Sequence, residues 1–94
     1  MFVYLVLRTE SKSGVTIPCA VFKDYASAVS HSNRRLNEIQ SIDKWKLTYP
    51  DAKFPEAEGN EKPECTLIGT VKLMKWIDGR MQFIDYRIWK EPVR

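Results

Sequence analysis

Reactive side chains are scarce in this chain. Its 94 residues include one histidine, His31, and two cysteines, Cys19 and Cys65. Two cysteines cannot build a disulfide framework, and with one histidine they cannot close a zinc site without carboxylates. Both thiols are therefore expected to be free and buried, in a reducing cytoplasm. The four glycines, Gly14, Gly59, Gly69 and Gly79, stand isolated, which excludes a glycine-rich phosphate loop. The acids between residues 43 and 66 lack the alternating ligands and tight glycine turn of a calcium loop. Long apolar runs are absent too. Residues 2–7 are too short to span a membrane and carry neither the charged leader nor the cleavage site of a signal peptide. His31 falls off the apolar stripe of its helical segment, and pairing it with Cys19 as a nucleophile would also need an orienting acid. These absences give the expectation of a cytoplasmic, non-enzymatic protein with no cofactor, no metal and no membrane partner.

What is present suits a single small α+β domain over residues 1–94. The hydrophobic fraction is 44%, ordinary for a globular chain, and the aromatic residues gather toward the C-terminus. The net charge of +3 is unevenly spread. Residues 43–66 set Lys44, Lys46, Lys53 and Lys62 against Asp43, Asp51, Glu56, Glu58, Glu61 and Glu64, whereas residues 70–94 are basic.

Hydrophobic period assigns the elements. Residues 2–9 read as a strand with Val3, Leu5 and Leu7 on one face and Phe2, Tyr4 and Val6 on the other, the mark of a central strand. Residues 15–22 form the next strand, with Val15, Ile17, Cys19 and Val21 toward one face. Pro18 removes a ladder donor there, so this strand belongs on an edge or carries a bulge. Asp24 is placed to cap a helix reaching about Ser41, whose stripe is Tyr25, Ala28, Val29, Ser32, Leu36 and Ile39. Ile42 and Trp45 would continue or staple its end. Residues 48–65 hold Pro50, Pro55, Pro63 and most of the acids, with Tyr49 and Phe54 as the main apolar anchors. This stretch reads as a mobile loop, and exchanging residues 52–62 for a short linker is expected to leave stability nearly unchanged.

The C-terminal third is the most specific part. Asp78-Gly79 between two β-type runs signals a two-residue hairpin turn and fixes the register. Ile77 then faces Arg80, Trp76 faces Met81, Met74 faces Phe83, Leu73 faces Ile84, Lys72 faces Asp85 and Val71 faces Tyr86. One side carries Val71, Leu73, Ile84 and Tyr86; the other carries Met74, Trp76, Met81 and Phe83, then Arg87 and Trp89.

The fold that follows is ββαββ, a four-stranded, largely antiparallel sheet with one helix on one face. A single helix leaves the second face apolar and uncovered, and such a face needs a partner. Met74, Trp76, Met81, Phe83, Arg87 and Trp89 are the candidate protein-binding residues, with the central loop, a second copy in a homodimer, or another protein as the cover. The rival is nucleic acid, because Lys72, Lys75, Arg80, Arg87, Lys90 and Arg94 accompany the aromatics. Against it, Asp85 opposite Lys72 would partly neutralise that lysine, and no ribonucleoprotein motif is visible.

Residues 20–28, Ala-Val-Phe-Lys-Asp-Tyr-Ala-Ser-Ala, following the strand at 2–7, resemble the start of many small uncharacterised bacterial and bacteriophage proteins. In those proteins a hairpin ends in a Val-Phe step, a capping polar residue and an alanine-bearing helix. The resemblance covers about a third of the chain and implies a compact accessory protein, phage-encoded and acting as an inhibitor or adaptor on a host protein. It transfers no catalytic residues.

Overall fold

The computed structural model describes residues 2–49, 52–54 and 66–93. Strand β1 (Phe2–Glu10) and strand β2 (Thr16–Phe22) form the first hairpin, and helix α1 (Tyr25–Ile42) follows. A two-residue strand β3 (Lys46–Leu47) precedes the long hairpin of β4 (Thr66–Ile77) and β5 (Arg80–Pro92). All strands join one antiparallel sheet in the order β2-β1-β5-β4-β3. The expected four strands become five. Lys46 and Leu47 pair with Met74 and Leu73, and two residues are too few to display a period in sequence.

The C-terminal hairpin has the expected register, from Ile77 opposite Arg80 to Val71 opposite Tyr86. Its turn places Asp78 at φ 53° and Gly79 at φ 78°. Two consecutive positive φ values give the turn whose twist matches that of the flanking strands. Pairing of β5 with β1, from Phe2 opposite Pro92 to Glu10 opposite Ile84, sets the two hairpins side by side. β1 is internal, as its two apolar faces implied, and β2 is an edge.

Pro18 has both effects expected of it. It lies on the edge strand, and the β1–β2 register shifts between Val6 and Leu7, opposite Ala20 and Pro18. That shift corrects the facing of β2. Ile17 pairs with Arg8 and Val21 with Leu5, which lie on opposite sides of β1, so the β2 apolar residues do not share one face. Cys19, at the bulge of this edge strand, is exposed rather than buried, like its neighbours Thr16, Ile17 and Pro18. Cys65 lies outside the described residues.

The helix matches its predicted stripe: its buried residues are Tyr25, Ala28, Val29, Ser32, Leu36 and Ile39. Asp24 caps it in extended conformation, its Oδ1 accepting from the Ser27 N–H at 2.8 Å and Oδ2 from the Ser27 hydroxyl at 2.9 Å. Asp24→Ala should therefore cost about 1 kcal/mol of folding stability, read from the denaturation midpoint. An unchanged midpoint would mean that solvent replaces the cap without loss. At the other end Asp43 and Trp45 N–H groups both donate to the Ile39 carbonyl, at 3.1 and 3.3 Å, across Lys44 in left-handed conformation at φ 62°. This turn stops the helix after the exposed Ile42 and folds Trp45 back against the core. His31 is half-buried rather than freely solvated, its ring centroid 5.2 Å from that of Phe22.

The core lies between α1 and one face of the sheet. Tyr4 and Val6 of β1, Val71 and Leu73 of β4, and Ile84, Tyr86 and Ile88 of β5 meet the helix stripe there. Phe54, expected in a loose loop, is also in this core at 1% exposure. The Asn33 side chain fixes it by accepting from the Phe54 N–H at 3.0 Å and donating to its carbonyl at 3.2 Å. The ring rests on Gly69, where an added Cβ would sit 3.3 Å from Phe54 Cδ1. Dispensability of residues 52–62 therefore does not extend to Phe54, and residues 55–65 lie outside the described part of the chain.

Candidate protein-binding face

Side chains alternate across each strand, so the face turned away from α1 follows from the register. On the β4–β5 hairpin it carries Trp76 opposite Met81, Met74 opposite Phe83, Lys72 opposite Asp85, and Thr70 opposite Arg87. A register shift between Leu67 and Gly69 keeps Leu67 opposite Trp89. The structure thus brings Met74, Trp76, Met81, Phe83, Arg87 and Trp89 onto one face. Lys46 of β3 extends it beside Met74.

The face is wider than the hairpin. Leu5 pairs with Trp89, Leu7 with Arg87 and Val3 with Glu91, and Val21 of β2 pairs in turn with Leu5. These four residues were outside the candidate set. The alternation of Val3, Leu5 and Leu7 is visible in sequence, but only the β1–β5 and β1–β2 pairings show that these residues and Val21 continue the hairpin's surface. Trp76 is 67% exposed, Val21 59% and Leu67 43%, while Met74, Met81, Phe83 and Trp89 are half-buried. With strands about 4.8 Å apart and a rise of about 3.3 Å per residue, four strands give a surface on the order of 500 Å² in projection. The largest apolar patch on a typical monomer is about 300–600 Å² and is often functional. Among the described residues no helix or strand lies over it, since α1 packs on the other side and every strand is in the sheet.

Its polar groups are few and mutually engaged. The Asp85 carboxylate lies 4.0 Å from Lys72 Nζ and 3.9 Å from an Arg87 guanidinium nitrogen. These distances are long for hydrogen bonds, and buried Asp85 Oδ1 accepts none. Lys72 Nζ also lies 5.5 Å from the Phe83 ring centroid. The Trp89 indole N–H donates to the Glu91 carboxylate. A strip of charge therefore crosses the apolar surface, with Asp85 between two cations.

The remaining basic residues of the hairpin do not join them. Lys90 is on the helix side at 5% exposure, with Nζ 3.9 Å from the Phe2 ring centroid. Lys75 also turns to that side, donating to the Asp43 carbonyl and lying 6.0 Å from the Trp45 ring centroid, and it reaches the border of the face only at the β3 corner. Arg80 pairs with Ile77, again off the aromatic face. Phosphates following the open face would meet Lys72 and Arg87, both beside Asp85, and Lys46 at its border.

No protein-family model, curated protein or solved structure matches the chain. Among the described residues no group of three or more histidine, cysteine, aspartate or glutamate side chains could hold a metal ion. No helix among them is long and apolar enough to cross a membrane.

Proposed function

We propose that this chain is a non-enzymatic binding protein of the inhibitor or adaptor type, and that the open sheet face is its binding surface. One observation carries the reading: six hairpin residues and four from β1 and β2 share one sheet face that α1 does not cover, its apolar groups on either side of the Lys72–Asp85–Arg87 strip. Large aromatic and methionine side chains around an arginine are the composition from which protein interfaces draw most of their energy. The resemblance of residues 20–28 to small bacterial and bacteriophage proteins extends the proposal to an accessory protein, phage-encoded and acting on a host protein in the cytoplasm. A homodimer through the same face is the other protein partner it admits.

Capture from lysate on immobilised protein separates protein from nucleic acid. The expected result is a partner retained after nuclease digestion, with sedimentation of the purified chain deciding whether that partner is a second copy. Loss of all captured material on nuclease treatment would favour the nucleic-acid reading.

A further inference from the structure

At the corner where β3 meets β4, a hollow of about 390 Å³ is lined by Lys44, Lys46, Met74, Lys75, Trp76 and Met81. It lies at the border of the open face, and its chemistry differs from the rest. Elsewhere on that face the cations share Asp85 as a counter-charge, but three lysines line this hollow with no acid among them. Lys44 and Lys75 are also fixed in place, because their ammonium groups donate to the Ser41 and Asp43 carbonyls at the end of α1. Lys46 is exposed on the two-residue strand. Trp76 and the two methionines supply the apolar floor and wall, and methionine adapts to varied side chains.

We infer that this corner receives an acidic peptide segment carrying an aromatic or branched aliphatic anchor. The inference rests on the proposed binding role of the open face and names the chemistry of its partner. Three lysines in the lining with no acid beside them there select a segment rich in aspartate or glutamate, and the hollow between Trp76, Met74 and Met81 takes the anchor. The backbone supports an extended ligand as well. β3 pairs only with Leu73 and Met74, so among the described residues no strand continues the ladder outside Trp76 and Ile77. A peptide can add to that edge and alternate its side chains between anchor and lysines. A nucleic-acid strand fits less well, because the cations form one cluster and not a track along the face.

A random twelve-residue display library selected on the full chain tests this. Enriched peptides should be acidic and carry at least one aromatic, leucine or isoleucine residue. Their affinity should fall about tenfold in Lys46→Glu, and by a similar factor when salt rises from low to physiological strength. Lys46→Glu should keep the wild-type denaturation midpoint, since the side chain is exposed. Neutral or basic winners, no winners, or equal affinity for the variant would overturn the inference. So would tighter binding of a labelled oligothymidylate than of the selected peptides, or a stable dimer that blocks selection. The broader reading fails separately: if lysate capture survives a charge placed at Trp76, the open face is not the binding surface whatever the peptides show.

Discussion

Phe54→Ala should destabilise the fold by about 3–5 kcal/mol, the range for truncating a fully buried phenylalanine. The side chain is 1% exposed, although it comes from a stretch whose composition suggests a solvated loop. The cost has two parts. Removal of the ring forfeits its burial, and the space it leaves lies over Gly69, which has no side chain to relax into it. Asn33→Ala should cost less, about 1–3 kcal/mol, by leaving the Phe54 backbone groups without their partners. Chemical denaturation of both variants checks the ranking. A loss below about 1 kcal/mol for Phe54→Ala would show that the segment detaches without affecting the core.

The contrast between Phe54 and the hairpin explains what could be read from the sequence. Asp78-Gly79 sets a turn through two backbone conformations, and from a fixed turn every facing assignment follows by counting. The helix stripe was readable for the same reason, since spacing alone determines which residues share a side. Phe54 depends on contacts with Asn33 and Gly69, which are distant in sequence and joined by no period. β3 is held by two residues and by Thr48, whose N–H and hydroxyl both reach the Lys72 carbonyl at 3.1 Å. Lys46 and its corner were missed with it. The facing of β2 failed at Pro18, because a bulge shifts the count by one and sequence does not say where the extra residue is absorbed. The hairpin's share of the open face follows by counting from the turn, whereas the share of β1 and β2 depends on which strands become neighbours.

The largest functional effect is expected at Trp76. Its side chain is 67% exposed, at the end of the open face and on the wall of the lysine-lined hollow. Interface tryptophans commonly account for about 2 kcal/mol or more of binding, so Trp76→Asp should weaken partner affinity by about 30-fold or more. An introduced carboxylate adds an unpaired charge that must be desolvated on association. The folded chain should tolerate the change, because an exposed strand position shifts stability by less than about 1 kcal/mol. Leu73, three residues earlier on the helix side, is fully buried and should behave in the reverse sense. Leu73→Ala is expected to cost about 2–5 kcal/mol of stability. At partner concentrations that saturate the remaining folded protein, it should leave the open face competent to bind.

The most direct test is partner affinity and denaturation midpoint measured on the same preparation of Trp76→Asp. The account predicts a wild-type midpoint within about 1 kcal/mol together with a loss of affinity of at least about 30-fold. A stability loss of several kcal/mol with unchanged affinity would contradict it, and would make Trp76 part of a core that the chain covers by itself.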